Sequence, residues 1–244
     1  MSDRLKTLVF AVVMCIVCSI LLTTASRGLQ RFQEKNILMD MRRNILKSVN
    51  LVKEGVPYSY GEIEKLFTDN IQPIWVDPSG RQVEENRRSE QDFRLYLYTQ
   101  NGSATAYIVP INSRGLWGKI HGYLAIESDG STVSGFTVYK HSETPGLGGE
   151  IEKQWFQNNW VGKKIVDQAG QFVSIGIAKG AVTDKIPPAK QMNYVDGISG
   201  ATLTGKYLSA GIRQILQQYE PVSISFRSRP KADSTSRSKA ANPD

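Results

Sequence analysis

Nineteen consecutive residues without a charge, TLVFAVVMCIVCSILLTTA from Thr7 to Ala25, set the first constraint on how this chain can fold. As a helix rising 1.5 Å per residue, such a run reaches about 28 Å, close to the hydrocarbon thickness of a bilayer. The run is long for the apolar core of a signal peptide, and TTASRG is a poor small-x-small cleavage site. A retained transmembrane helix is the expectation, with a cleaved signal sequence as its competitor. Arg4 and Lys6 precede the span and Arg27 and Arg31 follow it, so the charge rule for loops leaves the orientation open. Both cysteines, Cys15 and Cys18, lie within the span. They cannot staple a soluble domain, and they read as small apolar residues of a membrane helix.

Beyond Ala25 the hydrophobic period changes twice. Leu29, Phe32, Leu38, Met41, Ile45 and Val49 recur mostly at three- to four-residue spacing, which describes a helix leaving the membrane. Ser59 and Glu62 are spaced as a capping box, so a second helix is expected near Tyr60. WVDPSGR reads as a turn. FRLYLYTQ, SATAYIVPI, GYLAIES, TVSGFTVYKH and FVSIGIAKG then read as strands of a largely antiparallel sheet, separated by turn signals such as NG and DG. EIEKQWFQNNW between the last two reads as a helix. A final helix is expected over 205–219, with Leu208, Ile212, Ile215, Leu216 and Tyr219 as its buried stripe. From Pro221 the chain is polar and reads as a disordered tail. The net charge of +7 is spread along the chain and partly in this tail, so no nucleic-acid partner is expected.

The stretch DGISGATLTG, Asp196 to Gly205, sits where the chain enters the last helix. It holds no His, Cys or Lys, so it lacks both the base a nucleophile needs and the ligands a metal needs. No catalytic residue and no metal site are expected, and His121 and His141 read as structural. A helix start with small residues offers unpaired amides and a positive dipole end, which suits a phosphate. The plainer reading of the same pattern is a Ser/Thr cap with turn glycines. No G-x-G-x-x-G follows a strand, so a dinucleotide fold is not supported.

Asp196, Ser199, Gly200, Ala201 and Thr202 form D-x-x-S-G-A-T, which resembles the flavinylation motif of flavin-carrying subunits in bacterial respiratory complexes. KHSETPGLGGEI, Lys140 to Ile151, resembles a second segment of the same family, H-x-E-T-P-G-L-G. With GLWGKIHGYLAIE, the Trp155 to Trp160 spacing, IAKG and SGATLT in order, the likeness covers nearly the whole chain. It points to the NqrC family of flavin-carrying subunits in Na+-translocating NADH:quinone reductases. The RnfG subunits of the Rnf electron-transport complexes are close relatives of that family.

The resemblance implies an α+β fold: an N-terminal transmembrane helix, then a flavin-binding domain of twisted antiparallel sheet with flanking helices. The implied organisation is a flank over 1–6, the span over 7–25, a membrane-proximal helical region over 26–91, an FMN-binding domain over 92–220 and the tail over 221–244. It implies that Thr202 carries FMN through a phosphoester placed by a flavin transferase that uses FAD, beside Ser199, Gly200 and Ala201. Glu143, Thr144, Gly146 and Leu147 would then lie along the isoalloxazine ring, with Trp117 as a second wall and Lys179 near the flavin's polar groups. The plainer alternatives are core packing for Trp117, loop packing for Leu147 and a surface charge for Lys179. Gly205 and Lys206 depart from the family's usual small polar residues. The implied protein is a single-pass flavoprotein of the bacterial inner membrane, its soluble domain periplasmic and its partners the other subunits of the complex. Its FMN would relay electrons as NADH oxidation by quinone drives Na+ export. The rival readings are the Rnf subunit and an anchored binding protein with no redox role.

Overall fold

The computed structural model describes residues 2–228. The chain divides into two compact units, one up to Arg42 and one from Arg43 onward. A single helix, α1 (Asp3–Ser48), runs through the first unit. Its segment Asp3–Gln30, 28 residues long, is apolar enough to cross a membrane, and its side chains are not buried inside the protein. The hydroxyls of Ser19, Thr23 and Thr24 donate to the carbonyls of Cys15, Ser19 and Ile20, one turn back. That pattern satisfies a hydroxyl without water. This helix is a candidate membrane anchor.

The second unit is built on a six-stranded sheet in the order β2-β1-β3-β4-β5-β6. Its strands are β1 (Ile71–Val76), β2 (Gln82–Val83), β3 (Phe93–Gln100), β4 (Ser103–Arg114), β5 (Lys119–Glu127) and β6 (Val133–Lys140), and every neighbouring pair is antiparallel. Asn101 and Gly102 link β3 to β4 with positive φ at both residues, 50° and 76°. A two-residue turn of that kind matches the twist of the strands it joins.

Strands β4 to β6, and the middle of β3, alternate between two covered faces. Leu95, Tyr107, Val109, Ile111, Leu124, Phe136 and Val138 point to a core shared with Phe156, Trp160, Leu208, Ile212, Leu216 and Phe226. The helices supplying that cover are α3 (Gln154–Asn158), α5 (Thr202–Gln218) and α6 (Glu220–Arg227). Phe136 and Trp160 stack with ring centroids 4.2 Å apart. On the other face Tyr96 meets Phe67 of α2 (Tyr60–Asn70) edge-on, and Thr137 donates to the carbonyl of Asn44 at 3.2 Å. The capping box at Ser59 and Glu62 is present as the spacing predicts.

Three expectations need correction. The region over 26–91 is not only helical, because β1 and β2 belong to the sheet. Pro73 masks β1 in the sequence. It is tolerated because β2 pairs only with Trp75 and Val76, leaving Pro73 with a neighbour on one side. The tail does not begin at Pro221. Residues 220–227 form α6, which buries Val222, Ser223 and Phe226, and Tyr107 donates its hydroxyl to Ser223 Oγ at 2.7 Å. Residues 229–244 of the expected tail lie outside the described residues. FVSIGIAKG is not a strand of the main sheet. Ser174 takes a left-handed φ of 68°, which ends extended pairing there. Within the segment only β7 (Gly176–Ile177) is a strand, paired in parallel with β8 (Tyr194–Val195), while Phe172 makes an isolated antiparallel bridge to Val166.

Candidate functional site

One carboxylate and close backbone contacts shape the loop that leads into α5. Asp196 Oδ1 accepts the amide of Val182 at 2.7 Å, which clips the loop to α4 (Val182–Lys185). Gly197 donates to the carbonyl of Gly180 at 2.8 Å, and a Cβ on Gly197 would lie 2.1 Å from the carbonyl oxygen of Ala178. Gly200 turns the chain at φ +73°. Ala201 is then the cap residue of a 17-residue helix, and among the described residues no side chain caps this end. The first turn begins with Thr202, whose side chain is exposed, as is that of Ser199. Gly205 N–H bonds the carbonyl of Ala201 at 3.0 Å, so the amides of Thr202, Leu203 and Thr204 stand at the helix end ahead of the ladder. The simple cap reading therefore does not hold, since the hydroxyl groups here do not close the helix.

A cavity of about 1160 Å³ opens beside this helix start. One wall is the segment 173–181 and the other runs from Gly197 to Thr202 and along α5. Lys179, Lys190, Lys206 and Arg213 line it against a single carboxylate, Asp167. Such an excess of positive charge in a cleft draws anions. Lys206, Ser209 and Arg213 follow Thr202 at four, seven and eleven residues, on one face of the helix.

The second flank is the E-T-P-G-L-G loop. Gly146 turns it at φ +73°, and Gly149 closes it by donating to the carbonyl of Thr144 at 2.8 Å. Leu147 reaches across to the loop before α5, since a Cβ on Gly200 would meet its Cδ2 at 2.7 Å. Glu143 is only 4% exposed. Its Oε1 accepts the amide of Trp117 at 3.0 Å, and its Oε2 accepts the hydroxyl of Thr204 at 2.5 Å. The Glu143 amide donates to His141 Nδ1 at 3.1 Å, so the proton of that ring sits on Nε2, 3.1 Å from Glu152 Oε2. Partial burial works against ionising Glu152, but hydrogen bonds from His141 and Lys153, with the Lys153 charge, outweigh it and hold the carboxyl below its usual range.

The expected residues thus fall into two groups that meet at Gly200. Ser199, Gly200, Ala201, Thr202 and Lys179 line the cavity. Glu143, Thr144, Gly146, Leu147 and Trp117 do not line it, and come to the first turn of α5 from the other side. Trp117 is 69% exposed, which removes the core-packing alternative for it. Leu116, Leu147 and Leu203 are also large apolar side chains left in solvent. Both oxygens of Glu143 are engaged inside the protein, where it braces two loops and a helix. Sequence reasoning missed Thr204, Lys206 and Arg213. The helical spacing of the two cations from Thr202 was the available signal, while nothing local pairs Thr204 with Glu143, 61 residues away.

This pairing of sheet, uncapped helix start and cationic cleft defines a class, and the comparisons agree on it. Residues 115–217, which include every expected site residue, match the FMN-binding domain family. The chain is 34% identical to the NqrC subunit of the Na(+)-translocating NADH-quinone reductase of Yersinia pestis over 229 residues, 82% of this chain and 83% of the relative. It is 32% identical to the NqrC subunit of Pseudomonas aeruginosa over 231 residues, 82% of this chain and 87% of that one. The crystal structure of the same subunit from Parabacteroides distasonis superposes with a TM-score of 0.68 at 31% identity, covering 83% of this chain and 98% of the other. NqrC of Shewanella oneidensis, at 23% identity and a TM-score of 0.60 over 80% of this chain and 96% of that one, shares the fold. The chain belongs to the NqrC family, one of the subunit families of Na+-translocating NADH-quinone reductases.

Proposed function

We propose that this chain is the membrane-anchored flavoprotein subunit of a Na+-translocating NADH:quinone reductase, carrying FMN as a phosphoester on Thr202. The observation that supports the attachment is the start of α5, where an exposed threonine hydroxyl stands on a helix end that no side chain caps. Bound there, FMN supplies one- and two-electron redox chemistry within a complex that oxidises NADH with quinone and exports Na+. The residues of this chain hold and tune it. The amides of Thr202, Leu203 and Thr204 face the ester phosphate, and the helix dipole favours its charge. Lys179, Lys206 and Arg213 add positive charge along the cavity. A cation beside the N1 and C2=O edge favours negative charge there, a role that falls to Lys179. Leu147, Leu203 and Trp117 offer the exposed apolar surface a flat aromatic ring covers.

The attachment loop has no base of its own for Thr202, so the ester needs a second enzyme, a flavin transferase using FAD. The other partners are the remaining subunits of the complex. The helix Asp3–Gln30 holds the chain in the bacterial inner membrane by a single pass, with the soluble domain on the periplasmic side. The relatives belong to the NADH-quinone reductases, so the Rnf alternative has nothing to favour it.

The test is the intact mass of the full chain made with a flavin transferase. One FMN joined with loss of water adds about 438 Da, and the flavopeptide should carry it on Thr202. An unmodified mass, or a flavin on Ser199, ends this reading.

A further inference from the structure

The first turn of α5 holds two threonines in opposite circumstances. Thr202 is exposed and lines the cationic cavity. Thr204 is 2% exposed, and its hydroxyl donates to Glu143 Oε2 at 2.5 Å. Gly148 closes over that hydroxyl, because a Cβ on Gly148 would lie 2.5 Å from Thr204 Oγ1 and 2.8 Å from Glu143 Oε2. Glu143 is held in turn by the Trp117 amide on its other oxygen and by its own amide on His141. We propose that Glu143 makes Thr202 the single flavin acceptor by withdrawing Thr204 from competition.

The proposal rests on the attachment reading above and concerns its regiochemistry. In the transfer, a threonine oxygen attacks the flavin-side phosphorus of FAD and forms the new P–O ester bond. The anhydride bond to AMP breaks, AMP leaves with the bonding electron pair, and the hydroxyl proton passes to a base of the transferase. Nothing is oxidised or reduced. The acceptor therefore needs an open approach and a surrounding that tolerates negative charge on phosphorus. Thr202 has both. At Thr204 the approach is closed by the loop, and the phosphoryl charge would arrive beside a carboxylate at hydrogen-bond distance, where like charges repel. A carboxylate so placed could activate an open hydroxyl, as a base does for a nucleophile. Here burial turns the same contact into a lock. Glu143 acts through Thr204 and touches neither FAD nor Thr202, so it is a positioning residue.

The full-length chain is co-expressed with a flavin transferase in bacterial membranes, digested, and its flavopeptides are sequenced by mass spectrometry. The parent should carry flavin on Thr202 alone, and Thr202→Val should carry none. Thr202→Val with Glu143→Gln should gain flavin on Thr204, at least tenfold above Thr202→Val. If the double variant does not fold, Glu143→Gln with Thr202 retained gives the same reading as the ratio of Thr204 to Thr202 flavopeptides, again raised at least tenfold. Flavin on Thr204 in Thr202→Val overturns the lock, and so does its absence from both Glu143→Gln forms when they fold. A parent without flavin on Thr202 overturns the attachment reading itself.

Discussion

The two loops that meet at Gly200 are held by different means. The 196–202 loop is fixed near its start, by the Asp196 carboxylate on the Val182 amide, by a main-chain bond from Gly197 to Gly180 and by glycines that allow close approach. Its serine and threonine side chains stay exposed. The E-T-P-G-L-G loop is fixed by one buried side chain, Glu143, which joins it to Trp117 and Thr204. The difference separates reactivity from position. Under the proposed function the first loop presents a hydroxyl to another enzyme and so cannot use that hydroxyl to hold itself together, while the second would only lie against the ring and can be braced from within.

The largest effect should come from the exposed hydroxyl. Thr202→Ala should lose all covalent flavin while unfolding within about 0.5 kcal/mol of the parent, since an exposed side chain contributes little to stability. Flavin fluorescence in a denaturing gel and a melting curve check the two halves. A variant that keeps its flavin breaks the contrast at its root.

Next come the glycines, which should divide by loop. Gly197→Ala drives a Cβ to 2.1 Å from the Ala178 carbonyl oxygen and 2.8 Å from the Gly180 amide nitrogen. That backbone cannot yield cheaply, and a loss of about 2–3 kcal/mol is expected, with flavin occupancy falling alongside. Gly146→Ala has nothing within 4 Å of its new Cβ and only the left-handed φ of +73° against it. It should cost about 1 kcal/mol. Equal melting temperatures for the two variants would contradict the account of how these loops are held.

The same contrast explains what could be read in the sequence. Local signals carried through: the Asn101–Gly102 turn, the Ser59–Glu62 box, and S-G-A-T at a helix start are each complete within a few residues. The 196–202 loop is of that kind, so its place at a helix start was legible. The brace was not, because the bond from Thr204 to Glu143 is a property of the folded sheet and helix rather than of either segment. β1 was hidden by a proline whose harmlessness depends on how short β2 is. α6 was hidden by polar composition, although Val222 and Phe226 sit one turn apart and pack under β4.

A smaller effect is expected from charge. Lys179 is exposed on the cavity wall, so its field is screened by water. Removing a unit charge about 4 Å from the ring at solvent dielectric is worth about 1 kcal/mol, or roughly 40 mV for one electron. Lys179→Met should lower the flavin midpoint by that order with the ester intact. An unchanged midpoint would place Lys179 away from the ring.

The smallest and most selective effects belong to the braced loop. A covalent tether keeps the cofactor at high effective concentration, so contacts along the ring are not needed to retain it. They are needed to set where it lies and what surrounds it. Leu147 is 43% exposed and packs on Gly200, so its outer surface is free to meet the ring. Thr144 is exposed on the same loop. Leu147→Ala and Thr144→Val should therefore keep full flavin occupancy. Each should shift the absorbance maximum and move the midpoint by less than the Lys179 variant does, because a dipole or an apolar contact has a weaker field than a charge. Potentiometric titration of both variants decides it. Midpoints and spectra identical to the parent in both would mean that the E-T-P-G-L-G loop braces the attachment helix without touching the flavin, and the division between presenting and positioning loops would have to be redrawn.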